Sequence, residues 1–288
     1  MNLLNKIVVT VTFAWAGLPF VGAQAQTVTW NGGGADSNWS TPANWGGTAP
    51  TGGEALVFGG TARLTNVNDL AANASFAGIT FNNTSGAFSL SGNRLTLGGT
   101  IANNDAETQV LGMDMILGAT RTLSAASGSF YLNGALSGAG GLVKSGAQIA
   151  VLSGDNTYEG TTAVNAGILR ISHPHALGST LAETTVADGS RLELAGNITV
   201  TGETASIIGR GINNNGALQV QAGVNTWAGP ILIGNADTRI GVTAPTGALI
   251  VSGTIDDGPN TYPLIVRNAN DGGPVVISGT NTYGGETQ

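Results

Sequence analysis

A chain of 288 residues with 41 % hydrophobic and only 9 % charged residues is not a disordered one, because disorder pairs low hydrophobicity with high net charge. Its net charge of −7 leaves few cations, too scattered to follow a phosphate backbone, so nucleic acid is excluded as a partner. The lack of cysteine excludes disulfides and thiolate zinc sites, and 46 glycines among few runs of helix formers point to an all-β chain.

Residues 1–25 read as a secretory signal peptide. Lys6 precedes an apolar run over 7–20, and Ala23-Gln24-Ala25 supplies the small residues of a cleavage site, placing the cut before Gln26. The run is short for a span of about 20 residues and contains Gly17 and Pro19, which argues against a membrane anchor. The implied location is secreted: extracellular, or at the cell surface in association with the outer membrane. Residues 26–60 follow, with Trp30, Trp39 and Trp45 set among Gly, Asn, Pro and Ser. An N-terminal cap is expected here, since a stack of coils needs its open end covered. The rival reading is a glycan-binding module that stacks these tryptophans on sugar rings.

From Arg63 to Leu132 short alternating segments recur, among them Gly78-Ile79-Thr80-Phe81, Ala87-Phe88-Ser89-Leu90, Arg94-Leu95-Thr96-Leu97, Met115-Ile116-Leu117 and Phe130-Tyr131-Leu132. Apolar residues two apart are the period of a half-buried strand, and the Asn-Asn, Ser-Gly and Gly-Gly pairs between them are corner chemistry. Met113 and Met115 flank Asp114 and are expected to fill the core. The pattern resumes over 173–222 with Thr184-Thr185-Val186 and Arg191-Leu192-Glu193-Leu194, and continues through Arg239-Ile240-Gly241-Val242 to Leu264-Ile265-Val266. No composition break divides it, so 61–288 reads as one domain.

Three segments add a signature, Gly-x-Asn-Thr-(Tyr or Trp)-x-Gly. It runs through Gly154, Asn156, Thr157, Tyr158 and Gly160; again through Gly223, Asn225, Thr226, Trp227 and Gly229; and again through Gly279, Asn281, Thr282, Tyr283 and Gly285. The glycines suit turns of positive φ, Asn bonds nearby backbone, and the aromatic ring brings a large apolar plate. A strand and a corner, repeated, make one coil of a solenoid.

Residues 136–172, with Gly138-Ala139-Gly140-Gly141-Leu142-Val143-Lys144-Ser145-Gly146 ahead of the signature, resemble the autotransporter-associated β-strand repeat, or passenger-associated transport repeat, of large secreted bacterial proteins. A second copy begins at 275 and is cut off at 288, and the Asn225 copy is degenerate. The resemblance implies a right-handed parallel β-helix, a handedness that parallel connections also favour. It further implies a non-catalytic stalk or adhesin that contacts a host or cell-surface glycan or protein. A full-length protein of this kind carries an outer-membrane barrel of about 10-residue strands. None is seen here, so a fragment is expected. Asn156 and Asn281, at equivalent corners, are expected to form side-chain ladders if their coils are adjacent. A two-sheet Greek key is the alternative for the first hundred residues.

No catalytic, cofactor-binding or metal-binding residue is assigned. His173-Pro174-His175 holds both histidines, but no carboxylate lies close in sequence to complete a metal shell, so a solvated loop is expected. Lys144-Ser145 lacks the preceding glycine of a phosphate loop. Asp256-Asp257-Gly258 and Asp271-Gly272-Gly273 lack calcium-loop spacing and read as polar turns. Arg191 and Glu193, two apart on one strand face, read as a surface ion pair. If instead they face a substrate, the chain is a polysaccharide-active lyase or hydrolase on a β-helix.

Overall fold

The computed structural model describes residues 25–268 and 271–288, so the signal-peptide reading falls almost wholly outside the described residues. Each coil of the chain visits three sides in turn. The first side is an 11-stranded sheet that begins with Thr27–Trp30 and Ala55–Gly60, and the second is a 10-stranded sheet that begins with Thr65–Asn68. The third side carries two four-stranded sheets, one from Ala74–Phe76 to Leu136–Ser137, the other from Thr199–Val200 to Val275–Ile277. Every strand pairing among the described residues is parallel, including those of the first coils. The fold is therefore an all-β parallel β-solenoid of about ten turns, and the Greek-key alternative is overturned.

Alternation sets which side chains enter. In Leu95–Leu97, Met115–Leu117 and Thr184–Val186 the outer two residues are buried and the middle one is not. Met113 and Met115 are both buried in the core, as their spacing suggests. Coil length varies: Ala55 pairs with Gly78, 23 residues on, Leu142 with Thr162, 20 on, and Ala205 with Ile231, 26 on. The strand Thr65–Asn68 escapes a hydrophobicity reading because its inward residues are Asn66 and Asn68. Asn66 Oδ1 accepts the Trp39 Nε1–H at 2.7 Å and Asn68 Nδ2 donates to the Asn93 carbonyl at 2.7 Å, so neither is buried unpaired.

Aromatic rings cluster in the first described coils. Trp30, Trp39 and Trp45 are all buried, with Trp45 at the end of the short 3₁₀ turn Pro42–Trp45. Trp30 meets Trp45 edge-on at 5.2 Å, and Trp39, Trp45 and Phe58 lie within 6 Å of one another. Their faces point into the molecule, away from any sugar in solvent.

Candidate functional site

The signature residues act between coils. At the first copy Asn156 Oδ1 accepts the N–H of Leu136 at 2.8 Å, while the N–H of Thr157 donates to the Leu136 carbonyl at 2.8 Å. The second copy does the same to Ile198 through Asn225 and Thr226 (3.0 and 2.9 Å), and the third to Ile255 through Asn281 and Thr282 (3.0 and 2.9 Å). In each copy an Asn-Thr pair thus clasps both backbone groups of one residue on the coil below. Asn156 also donates to the Ala176 carbonyl above at 2.6 Å, so it ties three coils. An amide and a carbonyl left buried without these partners would cost roughly 1–3 kcal/mol each.

Asn156 and Asn281 do not form the expected ladder. The Asn156 clasp follows a second-side strand and grips a third-side residue, whereas the Asn281 clasp follows a third-side strand and grips a first-side one. Between these two copies the repeat has advanced by one side of the coil, and Asn225, on the side of Asn156, lies on a coil that is not its neighbour, so the asparagines do not stack. The glycines also differ from expectation. Of the six, only Gly223 has a positive φ, at 77°. The others are required by close approach: a Cβ on Gly154 would lie 2.4 Å from the Gly134 carbonyl, and one on Gly229 1.8 Å from that of Glu203.

The aromatic position faces inward. Tyr158 is fully buried and its hydroxyl meets Thr162 Oγ1 at 2.5 Å; Tyr283 pairs with Thr287 in the same way. This four-residue spacing, readable in both copies, is the signal by which Thr162 and Thr287 could have been found. Thr162 pairs in register with Thr184, whose hydroxyl donates to Glu203 Oε1 at 2.7 Å. Burial pushes the Glu203 carboxyl up to about 7 against the Thr184 bond, and Oε2 has no partner. Burial likewise raises the Tyr158 phenol well above its ordinary range.

Lys144 also points inward. Its ammonium donates to the carbonyls of Ser145, Gly146 and Ala166 at 2.8–2.9 Å, which uses all three protons, while burial draws its pKa down to about 8. Asp257 caps a turn by accepting the N–H groups of Tyr262 and Gly284 at 2.7 and 3.1 Å, and Asp256 accepts that of Gly258 at 2.7 Å. Polar turns account for both.

Arg191 and Glu193 do pair, at 3.0 Å, but not at the surface. They are 5 % and 1 % exposed, with Arg170 on the other Glu193 oxygen at 2.7 Å. Arg191 also donates to the carbonyl of Ile212. The cover is the loop over residues 208–216, which lengthens its coil to 26 residues and turns through positive φ at Asn213 and Asn214. It seats on Gly241, where a Cβ would lie 2.6 Å from the Asn215 carbonyl.

Beside this loop is a cavity of about 330 Å³ lined by Asn214, Asn215, Arg239, Arg267 and Asn268. Arg239 is 8 % exposed and gives one N–H to Asp237 at 3.0 Å, while its Nε is buried without a partner. Asp237 also takes Arg210, and these two bonds hold its carboxyl below the ordinary range. Two guanidinium groups and three carboxamides can bind an oxyanion flanked by hydroxyls. The histidines lie on the third side, where Asp155 of the preceding coil reaches His175 Nδ1 at 2.8 Å. The carboxylate missing from their own stretch of sequence thus arrives through coil stacking.

Comparison with known proteins agrees with this architecture. The passenger-associated transport repeat family matches residues 142–171. The chain is 28 % identical over 236 residues to the adhesin BmaC autotransporter of Brucella suis biovar 1 (strain 1330), an alignment covering 75 % of this chain and 6 % of that protein. No solved structure matches the chain. Residues 142–171, with the clasp inside them, thus carry a passenger-associated transport repeat within a parallel β-solenoid, and the chain is similar to a small part of an autotransporter adhesin.

Proposed function

We propose that the chain is a non-catalytic segment of an exported passenger, a stiff rod that presents contact surfaces to a host or cell-surface glycan or protein. The observation that best supports this is the run of parallel strands from Thr27 to Ile277, whose signature side chains are spent on bonds between coils. In this reading residues 1–25 are the signal peptide, 26–60 cap the stack, and 61–288 form the rod. An outer-membrane barrel serves its delivery, and each coil templates the next as the chain emerges, since solenoid coils contact only their neighbours. The Asn-Thr pairs at 156, 225 and 281 are clasps for that stacking.

The contact surface in this proposal is the cavity beside residues 208–216, because insertions in one coil of a solenoid tend to mark its binding face. The arginines suit the carboxylate or sulfate of an acidic saccharide, and the asparagines its hydroxyls. Binding of the purified chain to an array of neutral, uronate-bearing, sialylated and sulfated glycans tests this. The expected result is selective retention of acidic glycans, lowered about tenfold or more by Arg267→Ala with the circular dichroism unchanged. Release of reducing ends or unsaturated sugars from a polysaccharide, abolished by one carboxylate substitution, would instead establish the enzyme alternative.

A further inference from the structure

The two histidines and Asp155 meet at an interruption in the third side. One four-stranded sheet ends at Leu136–Ser137 and the next begins at Thr199–Val200; the two coils between them pair no strands on this side. Asp155 belongs to the first of these coils, His173 and His175 to the second. The nearest imidazole nitrogens lie 2.8 Å (His175 Nδ1) and 3.9 Å (His173 Nδ1) from Asp155 Oδ1. One donor atom from each residue falls within 4.8 Å of the other two.

Imidazole nitrogen and carboxylate oxygen suit borderline divalent ions such as Zn²⁺, and three protein ligands leave a fourth position for water. Tetrahedral donors at about 2.0–2.1 Å from Zn²⁺ stand roughly 3.4 Å apart, so the set needs only small side-chain adjustments. All three side chains have room for them, at 65 % exposed for Asp155, 33 % for His173 and 67 % for His175. His173 Nδ1 would give up the 3.2 Å bond it accepts from the His175 N–H.

The backbone holds the donors in place. Asn156, next to Asp155, donates to the carbonyl of Ala176, next to His175, which fixes the spacing of the two coils. The N–H groups of Ala176 and Gly178 bond to the carbonyls of His173 and His175 at 3.1 and 3.0 Å, closing a turn that presents both rings together. Their centroids are 5.5 Å apart. We propose that Asp155, His173 and His175 bind one divalent transition-metal ion, Zn²⁺ among those available to an exported protein, and that the ion staples two coils where the sheet is interrupted.

The test uses the full chain stripped with EDTA, titrated with ZnCl₂ by calorimetry and with Co²⁺ by visible absorption. The expected result is saturable binding at one ion per chain and a tetrahedral Co²⁺ spectrum. Added Zn²⁺ should also slow amide exchange at 155–158 and 173–178. Asp155→Asn and His175→Ala should each weaken binding about tenfold or more, and the His173→Ala/His175→Ala double variant should abolish the Co²⁺ spectrum. Because Asp155 and His175 are exposed, their single variants should melt in EDTA as the parent does. Absence of saturable binding, or binding that survives the double change, overturns the proposal.

Discussion

From Thr27 to Phe130 the interior carries a cluster of rings among its aliphatic rows, with Phe58 packed against Trp30, Trp39, Trp45, Phe81 and Phe88, and Phe81 reaching Phe130 at 6.1 Å. From Leu142 to Ala205 the corresponding interior carries Lys144, Tyr158, Thr162, Thr184 and Glu203 among its aliphatic rows. The first region turns once in 23 residues between Ala55 and Gly78, the second in 20 between Leu142 and Thr162. A shorter circuit encloses less space, and stacked aromatics give way to polar groups that bond across the gap between coils. Parallel stacking therefore accepts two kinds of interior. One is held by area and shape, the other also by polar bonds within a coil and between neighbouring coils.

Truncation in the aromatic region should produce the largest loss. Phe58→Ala removes the ring at the centre of the cluster and is expected to cost about 3–5 kcal/mol in denaturant unfolding. Hydrogen exchange should rise first at 27–30 and 55–60, leaving the strand Ile168–Ile171 protected. Loss spread evenly along the rod would show that the two regions unfold as one. In the polar region the strongest test is Lys144→Met. It leaves three carbonyls without their shared ammonium, for an expected cost of about 2–4 kcal/mol. In the parent, an amine-reactive reagent at pH 7 should leave Lys144 unmodified until the chain is unfolded.

The two regions also differ in how far a sequence reveals them. Alternation exposes the strands that hold Leu95, Leu97 and Met115, whereas nothing in the spacing of the tryptophans says that all three are buried. Lys144 resists such a reading because lysine in a glycine-rich stretch looks solvated; only the three carbonyls around it account for its burial. Arg191 and Glu193 were legible as a pair, but their cover comes from residues 208–216, which no local pattern assigns to that face. Gly160 is legible as a glycine position for the wrong reason: a Cβ there would meet the Gly141 nitrogen at 2.5 Å, with no positive φ involved. The approach of Asp155 to His175 depends on how many residues make a coil, which is a property of stacking. Local chemistry is written in the sequence; which coil lies above which is not.

The clasps provide a graded comparison between the polar region and the C-terminal coils. Asn156→Ala leaves the Leu136 N–H and the Ala176 carbonyl without partners in a buried setting, for an expected loss of about 1–3 kcal/mol. Asn281→Ala removes a single bond to Ile255 from an exposed residue and should cost about 0.5–1 kcal/mol. Equal losses at the two positions would mean that burial does not set the strength of the clasp.

Glu203 sharpens the comparison through pH. Below about pH 4.5 its carboxyl is neutral whether the chain is folded or not, and burial carries no charge penalty. Between there and about pH 7 the unfolded chain ionises while the folded one keeps its proton, so the folded state binds more protons and stability falls as pH rises. Above about 7 both forms are ionised and the loss is complete. The interval limits it to roughly 3 kcal/mol, and water drawn toward the unpartnered Oε2 should reduce it to about 1–2 kcal/mol. The measurement is unfolding free energy from pH 4 to 8 for the parent and for Glu203→Gln, in which Lys144, titrating near 8, is common to both. The difference between the two should decline across pH 5–7. A difference that stays flat would mean that the carboxyl ionises at the same pH in the folded and unfolded chain, and that this interior tolerates the charge in place.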